Sequence, residues 1–281
     1  MNSIFALIRN ATPKPLLNAL RNTKLKSIYT NFIEKPNIVY AQNHIIEIYE
    51  NPEKSHLKKD KIYEIENTLF FREFIKEGDT VYDVGANIGY FTLEFARLVG
   101  PNGKVLSFEP HPQVFQVLKR NINRNGYQNV KPYNCACGDM DGTINLFISN
   151  VNEGNHKIVA NDYNKGSTEV DIVKLSKHIK ENLPKIIKMD IEGAELLAIK
   201  GIGHDILKNN QIDFVLEYHP YEMNFFDIKD SDLFEYLEDL GYYFYNLATR
   251  DRPSITSVEV MEQYRKEDFG MTNLYCTKNE R

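Results

Sequence analysis

The feature that most constrains the fold is a regular alternation of strand-like and helix-like segments from residue 61 onward. Short apolar runs, bounded by Gly, Pro, Asn and Asp, alternate with longer stretches whose apolar residues recur every three or four positions. Such alternation is typical of parallel βαβ units, in which helices cover both faces of one sheet. The sequence therefore predicts a three-layer α/β domain over residues 61–281.

Individual elements follow from the same pattern. The predicted strands are 80–84, 104–108, 130–137, 143–148, 169–175, 185–190, 212–217, 242–247 and 271–277. The predicted helices are 62–76, 90–99, 113–125, 176–182, 194–199 and 231–240. Residues 149–168 are polar and rich in Asn and Gly, which predicts a long loop or an irregular hairpin.

Residues 1–60 differ in character and form a predicted N-terminal basic extension. Its first acidic residue is Glu34, and the basic residues before it are Arg9, Lys14, Arg21, Lys24 and Lys26. Segments 4–10 and 15–29 have the pattern of short helices, and 45–49 that of a strand. One interpretation is an amphipathic arm that contacts an anionic membrane surface or a polyanionic glycan. The alternative is a helical pair packed on the main domain with its charges in water.

Charge and cysteine content argue against several classes of protein. With 34 Lys and Arg against 39 Asp and Glu, the net charge is −5 and the pI about 5.9, which argues against nucleic acid as a partner. Three cysteines cannot form a disulfide framework and suit a reducing compartment; Cys135 and Cys137 are expected in the core. The apolar run 4–8 is shorter than the core of a signal peptide, and no apolar stretch is long enough to span a bilayer. We therefore expect a soluble, cytoplasmic protein.

A strand, a glycine turn and a helix start follow one another at residues 83–89. In an open α/β sheet, ligands bind beyond the carboxyl ends of the strands, where the strand order reverses. Gly85 allows a tight turn there, and Gly89 lets the helix begin close to the strand. Glu109 ends the next strand, 109 − 89 = 20 residues after Gly89, which is the spacing of an acid that binds ribose hydroxyls. These residues predict a site for a ribose-containing ligand.

Two residues separate this pattern from a nicotinamide site. Asn87 occupies the middle position of the usual glycine motif, where its side chain would crowd a pyrophosphate. Asp83 stands at the end of the strand, where its carboxylate can accept hydrogen bonds from an ammonium group or, through water, from a cationic ligand. S-adenosylmethionine has ribose, no diphosphate and a positively charged amino acid tail, so it fits these residues. A dinucleotide-dependent oxidoreductase is the alternative.

Three motifs, at residues 83–92, 108–110 and 187–195, together resemble the FkbM family of class I methyltransferases, within a match over about 64–277. The resemblance implies a Rossmann-like three-layer sandwich, a mostly parallel sheet with a reversed final strand, S-adenosylmethionine as cofactor, and methyl transfer to a hydroxyl. It also implies that Asp139 receives the adenine amino group; a turn-capping Asp is the alternative. The predicted cofactor-binding residues are Asp83, Gly85, Ala86, Asn87, Gly89, Tyr90, Glu109, Pro110, Asp139 and Asp190.

Acidic residues stand at the end of the predicted strand 185–190 and directly after it. Asp190 ends the strand where methyl donor and acceptor should meet, and Glu192 and Glu195 lie on one face of the helix start that follows. We interpret Asp190 and Glu192 as catalytic or acceptor-binding residues. The alternative is N-capping by Asp190 and stabilisation of the first helical turn by both Glu residues, worth ~0.3–1 kcal/mol each. Capping alone accounts for Glu195.

The predicted strand 212–217 ends with Glu217, and His219 lies two residues further along. The two side chains share one face of an extended segment. Pro220 ends this strand, so both side chains are expected beside Asp190. His219 is the first candidate for general base, since an unperturbed imidazole is mostly neutral at pH 7, and Asp190 is the second. The alternative for His219 is a ring satisfied by the backbone. Hard cations favour more oxygen ligands than this spacing guarantees, so no metal site is predicted.

The predicted function is therefore an S-adenosylmethionine-dependent O-methyltransferase whose acceptor is a small molecule or glycan, with the methyl group going to a sugar hydroxyl. The alternatives are a hydroxyl of a secondary metabolite or lipid, and a cofactor-binding interaction domain without turnover. Aromatic residues that follow the predicted strand 212–217 are candidates for a sugar-stacking platform or for the core: Tyr218, Tyr221, Phe225 and Phe226.

Overall fold

The computed structural model describes residues 37–48, 57, 62–149, 164–248, 254–264 and 270–280. The helices predicted at 4–10 and 15–29 lie outside the described residues, and so do residues 150–163 of the predicted loop. Among the helices that the structure describes, none has the length and apolar character needed to cross a membrane.

The strands and helices are named in chain order. The strands are β1 (Asn37–Ala41), β2 (His44–Ile48), β3 (Thr80–Val84), β4 (Lys104–Phe108), β5 (Val130–Tyr133), β6 (Ala136–Cys137), β7 (Gly142–Ser149), β8 (Asn164–Val173), β9 (Ile186–Met189), β10 (Asp213–Tyr218), β11 (Tyr243–Asn246), β12 (Ser254–Ile255) and β13 (Thr272–Thr277). The helices are α1 (Ile65–Phe74), α2 (Tyr90–Val99), α3 (Pro112–Arg124), α4 (Ser176–Ile179), α5 (Glu195–Ile202), α6 (His204–Asn209), α7 (Pro220–Met223), α8 (Asp230–Asp239) and α9 (Ser257–Tyr264). A 3₁₀ helix, Asn224–Phe226, follows α7.

Within the described residues, the central sheet has eight strands in the order β12-β11-β13-β10-β9-β3-β4-β5. Strands β10, β9, β3, β4 and β5 are parallel to one another. Strand β13 lies between β10 and β11 and is antiparallel to both. The predicted Rossmann-like sheet, mostly parallel with a reversed final strand, is confirmed.

Apolar side chains pack on both faces of this sheet, because successive residues of a strand point to opposite sides. Val81 and Val215 belong to a cluster that includes residues of α1, α2 and α3. Tyr82 and Leu216 belong to a second cluster that includes residues of α5, α6 and α8. Two helical layers with a sheet between them form the predicted three-layer sandwich.

The predicted strand at 130–137 is wrong as a single element. Strand β5 pairs with β4 in the central sheet, whereas β6 joins a three-stranded sheet in the order β6-β8-β7. Between them, Asn134 donates its side-chain amide to the carbonyl oxygens of Glu109 and Pro110, which holds the chain at the end of β4 where it turns out of the central sheet. Cys135 and Cys137 are buried in the core as predicted. For residues 149–168 a long loop or an irregular hairpin was predicted; strands β7 and β8 pair antiparallel with an irregular register, and residues 164–168 begin β8.

The single strand predicted at 45–49 is one half of a hairpin, β1–β2. This hairpin packs on α3 through polar contacts: the Asn121 side chain accepts a hydrogen bond from the Glu47 N–H at 2.7 Å and donates one to the Glu47 carbonyl at 3.1 Å. The Glu47 carboxylate also pairs with Arg120 and Arg124 at 2.7 and 3.1 Å. The division of the chain at residue 60 stays a prediction, but residues 37–48 pack against the main domain.

Candidate functional site

The crevice most suited to a ligand lies at the carboxyl ends of β3 and β9, where the strand order reverses. From β3 the chain moves outward to β4 and β5, and it then returns to the other side of β3 to form β9 and β10. Helices leave the sheet in opposite directions at such a switch point and open a space between them. The structure thus brings two of the predicted motifs together: the loop after β3 and the acidic segment after β9.

The loop after β3 has a left-handed backbone at three positions, with φ of 82° at Gly85, 50° at Asn87 and 97° at Gly89. The N–H groups of Gly85 and Ala86 both donate to the Phe108 carbonyl oxygen, which fastens the loop to the end of β4. Tyr90, predicted to bind the cofactor, begins α2 as a buried residue.

The two glycines of this loop are required by close contacts with the protein itself. A Cβ at Gly85 would lie 1.9 Å from the Asp190 carbonyl oxygen, and one at Gly89 would lie 2.6 Å from Leu118 Cδ1 on α3. Gly89 was predicted to bring the helix close to its strand, and the neighbour that the structure shows is α3. Gly85 lets the loop after β3 touch Asp190, so this loop and the segment that follows β9 are in direct contact.

Glu109 follows β4, and its side chain is turned toward the loop. Its Oε2 accepts a hydrogen bond from the Asn87 N–H at 2.9 Å, and its Oε1 accepts one from the His111 N–H at 2.8 Å. Burial raises the pKa of Glu109 to about 7, although these two N–H groups oppose the rise. A carboxylate has about four lone-pair sites, so the group can still accept hydrogen bonds from two hydroxyls. This arrangement fits a ribose at the end of β4.

Asp83 is fully buried below the loop. Its Oδ2 accepts a hydrogen bond from the Thr92 hydroxyl at 2.5 Å, and its Oδ1 lies 4.0 Å from Lys188 Nζ. Within the described residues, Oδ1 has no hydrogen-bond partner. Burial raises the pKa of Asp83, and Lys188 opposes this shift. No surface of Asp83 is exposed, so direct contact with a ligand is excluded in this conformation. Asp83 can act on a ligand in the crevice through its charge and through its hydrogen bond with Thr92 of α2.

Asp190 is the residue directly after β9, and the sequence analysis placed it correctly at the strand end. Its N–H donates to the Val84 carbonyl oxygen, and its Oδ2 lies 3.1 Å from Lys188 Nζ. About a third of its side chain is exposed, 34%, against 4% for Lys188. Helix α5 begins only at Glu195 and has no side-chain cap, so Asp190 does not act as its N-cap.

The segment between Asp190 and α5 is held by tight backbone packing. Glu192 has a left-handed backbone with φ of 56°, an unusual conformation for a residue with a side chain. A Cβ at Gly193 would lie 2.5 Å from the Glu222 carbonyl carbon, so this segment presses against α7. Glu195 is buried, its Oε1 accepts a hydrogen bond from the Ile191 N–H at 2.9 Å, and burial raises its pKa to about 7.

Glu217, on β10, completes the acidic group. Burial raises its pKa well above the usual range, and the charges of Asp190, Glu192 and Glu195 raise it further. In the sheet register Leu216 pairs with Met189, so Glu217 comes next to the end of β9, as predicted. The Lys188 ammonium opposes the rise in the pKa of Glu217.

His219 occupies a more specific position than its predicted place on the strand face. It is the N-cap of α7, where its Nδ1 accepts a hydrogen bond from the Glu222 N–H at 3.2 Å. Pro220 is the first residue of that helix, as expected from its fixed φ. The alternative stated for His219, a ring satisfied by the backbone, thus holds for Nδ1, one of its two ring nitrogens.

Several predicted residues lie apart from this centre, and others were missed. Asp139 is exposed and follows β6 of the smaller sheet, so its adenine contact stays a prediction. Tyr218 is fully buried in the core, whereas Tyr221 is exposed and stacks edge-on with Phe225 at 5.2 Å. The sequence analysis overlooked Tyr63, whose pKa is raised by burial and by Glu64, Asp190 and Glu217.

Lys188 was also missed as a functional residue, although the sequence carries a signal for it. It is the only charged residue in β9, whose other residues are Ile186, Ile187 and Met189. A lysine in a strand buried on both faces is rare and requires a partner. In the part of the chain that the structure describes, no group of three or more His, Cys, Asp or Glu residues has a geometry that would hold a metal ion.

Comparisons with known proteins identify the family of the chain. Residues 83–244, more than half of the chain, match the family described as the methyltransferase FkbM domain. The methyltransferase sdnD of Sordaria araneosa is 30% identical over 158 residues, which cover 44% of this chain and 61% of that protein. The hexuronic acid methyltransferase AglP of Haloferax volcanii is 27% identical over 151 residues, covering 52% and 59%. The chain thus spans about 60% of the length of these curated relatives.

Solved structures with a similar fold include an S-adenosylmethionine-dependent O-methyltransferase of Thermotoga maritima, with a TM-score of 0.45, 15% identity, and coverage of 90% of this chain and 82% of that one. The fit of Glu109 and the β3 loop to an adenosyl group and the family match lead to the same conclusion. The chain belongs to the FkbM family of methyltransferases, which use S-adenosylmethionine as methyl donor.

Proposed function

We propose that this protein transfers a methyl group from S-adenosylmethionine to a hydroxyl oxygen of a neutral sugar or glycan. The observation that carries the proposal is the position of Asp190, whose backbone carbonyl lies against Gly85 and whose carboxylate is partly exposed at the end of β9. The proposal goes beyond family membership in two respects: the acceptor atom is oxygen, and the acceptor is uncharged.

The cofactor would be held by the loop 85–89 and by Glu109, with the ribose hydroxyls at the Glu109 carboxylate. When bound, it supplies a methyl group on a positively charged sulfur, which leaves as a neutral thioether. The acidic residues at the ends of β9 and β10 suit such a cation, because opposite charges in a partly desolvated crevice attract strongly.

The acceptor hydroxyl is a poor nucleophile while it keeps its proton, so a base within hydrogen-bond reach should contribute 10²–10⁴-fold in rate. We assign this role to Asp190, which follows β9 and whose carboxylate is about a third exposed. The sequence analysis preferred His219, but its Nδ1 lone pair accepts the Glu222 N–H. A neutral imidazole that accepts at Nδ1 carries its proton on Nε2 and has no second lone pair to offer as a base. Glu192 and Glu217 would then bind the acceptor by accepting hydrogen bonds from its other hydroxyls.

The charge of the crevice supports a neutral acceptor. The carboxyl groups of Asp190, Glu192 and Glu217 lie near one another, with Lys188 as the positive charge beside them. An acceptor carboxylate would meet like charges within this group, which disfavours binding. Sugar hydroxyls, by contrast, are donors that match carboxylate acceptors. Tyr221, near the end of β10, offers an exposed aromatic ring on which a sugar can stack, and the half-buried Phe225 packs edge-on against it.

The test is incubation with S-adenosylmethionine carrying a labelled methyl group and paired acceptors that differ only in charge, such as methyl glucoside and methyl glucuronide, free and as short glycans. We expect label in the neutral member of the pair, in a linkage stable to mild base, as an ether is and a methyl ester is not. Asp190→Asn should lose at least a hundredfold in turnover while it binds S-adenosylhomocysteine normally. Labelling of the uronate alone, or normal turnover by Asp190→Asn, would overturn the proposal. Cofactor binding without labelling of any acceptor would favour an interaction domain.

A further inference from the structure

Lys188 is a buried ammonium at the point where the cofactor loop and the acceptor-side acids meet. In the sheet register it is the partner of Asp83 on β3 and of Val215 on β10. Its Nζ lies 3.1 Å from Asp190 Oδ2, 4.0 Å from Asp83 Oδ1 and 5.1 Å from the centroid of the Phe91 ring. Lys188 thus connects the end of β3 with the end of β9 through charge.

Every element packed around this ammonium contributes a charged or aromatic group. Strand β3 supplies Asp83, the residue after β9 supplies Asp190, and helix α2 supplies Phe91. Glu64, just before α1, also acts on it. Although burial acts to lower it, Asp190, Asp83 and Glu64 hold the pKa of Lys188 above its usual range. The lysine is therefore charged, and a buried charge of this kind persists only with ionised partners.

Among the carboxyl groups near the end of β9, that of Asp190 is within hydrogen-bond distance of the Lys188 ammonium. Burial and the charges of Asp190, Glu192 and Glu195 raise the pKa of Glu217, and Lys188 opposes that rise. The ion pair with a buried lysine therefore holds one carboxylate of this group in a defined place.

We propose that Lys188 is a positioning residue that holds the carboxylate of Asp190 in a fixed orientation in the crevice, ready to accept the proton of the acceptor hydroxyl. The inference rests on the proposed function, in which Asp190 is the base. Lys188 also pairs with Asp83, which accepts the Thr92 hydroxyl of α2, so the same ammonium connects the Asp190 carboxylate with the cofactor side. Removal of the ammonium leaves the Asp190 carboxylate without its ion-pair partner, so its orientation toward the acceptor is lost.

The test compares Lys188→Met with wild type, since Met fills a similar volume without charge. Aspartate carboxyl ¹³C resonances, assigned with Asp190→Asn, report the surroundings of this carboxylate without any acceptor. We expect the Asp190 resonance to shift or broaden in Lys188→Met, because the carboxylate no longer has one fixed partner. With an acceptor from the paired panel, kcat should fall at least tenfold through lost alignment, while KM changes less.

A second measurement separates positioning from folding. The affinity of Lys188→Met for S-adenosylhomocysteine, measured by calorimetry, should stay within about threefold of wild type, because the loop 85–89 and Glu109 are unchanged. If Lys188 only stabilises the fold, cofactor affinity and turnover should fall together. An unmoved Asp190 resonance, or turnover within about threefold of wild type, would overturn the inference. A shifted resonance with normal cofactor affinity, in a protein that methylates no acceptor, supports the inference and refutes the proposed function instead.

Discussion

Replacement of Glu109 by Gln should remove a pH dependence from cofactor binding. Burial raises the pKa of the Glu109 carboxyl to about 7, which places its ionisation in the range of ordinary assays. Both oxygens already accept a backbone N–H, from Asn87 and from His111. A protonated carboxyl has one oxygen that acts as a donor, so it cannot accept these two N–H groups and two ribose hydroxyls together. Binding therefore requires loss of the proton, and affinity should rise with pH.

The magnitude follows from the fraction ionised. With a pKa of about 7, roughly nine-tenths of Glu109 is ionised at pH 8 and roughly one-tenth at pH 6. The affinity of the wild-type protein for S-adenosylhomocysteine should therefore fall about tenfold between these values. Glu109→Gln has no titrating carboxyl and should show a flat profile. At pH 8 it should bind about ten- to a hundredfold more weakly, since a hydrogen bond to a charged group contributes ~1.5–3 kcal/mol.

Isothermal titration calorimetry at pH 6, 7 and 8 measures both effects. Glu195→Gln is the matched control, because Glu195 is also buried with a pKa of about 7 but lies at the start of α5, bonded to the Ile191 N–H. That variant should keep the tenfold slope. A flat wild-type profile, or a full slope in Glu109→Gln, would refute the assignment of Glu109 to the ribose.

Two further substitutions test the geometry around the crevice. Gly85→Ala places a Cβ 1.9 Å from the Asp190 carbonyl oxygen, whereas Gly78→Ala has a similar φ of 87° and meets nothing within 4 Å. We expect Gly85→Ala to lower the free energy of unfolding by about 2 kcal/mol or more beyond Gly78→Ala in denaturant titrations, and equal losses would contradict the close approach. His219→Asn keeps an acceptor for the Glu222 N–H, so its turnover should stay within about threefold of wild type. His219→Ala lacks that acceptor, so its free energy of unfolding should fall by about 1 kcal/mol. A hundredfold loss of turnover in a folded His219→Asn protein would return the role of base to the imidazole.

The parts of the fold that could be predicted from sequence are those specified by short-range pattern. The alternation of strands and helices determines the layers, and one helix and one strand set the spacing from Gly89 to Glu109. Both features can therefore be predicted without knowledge of distant contacts. The purpose of Gly85 could not be found this way. Its conformation was predictable, but its neighbour is the carbonyl of Asp190, more than a hundred residues later.

Hydrogen bonds between side chains and the backbone explain the remaining errors. The segment 130–137 has a continuous strand pattern, and the chain departs from the central sheet where Asn134 binds the carbonyls of Glu109 and Pro110. His219 is two residues from Glu217 and shares its face only if the strand continues, but the backbone turns into α7 and uses the imidazole as a cap. In each case a side chain bonds to the backbone, and no periodicity in the sequence reports such a bond.

The reversed strand has a consequence for how the protein is made. Strand β13 follows every other strand of the central sheet in the chain, yet it lies between β10 and β11 and pairs with both. During synthesis, β10 and β11 leave the ribosome first and must wait with unpaired edges until residues 272–277 emerge. Exposed edges of this kind recruit other strands, so a chain interrupted after β11 should aggregate even though the whole crevice has been translated. The pairing of β13 with β10 and β11 thus cannot precede the synthesis of residues 272–277, which lie far along the chain from the loop after β3.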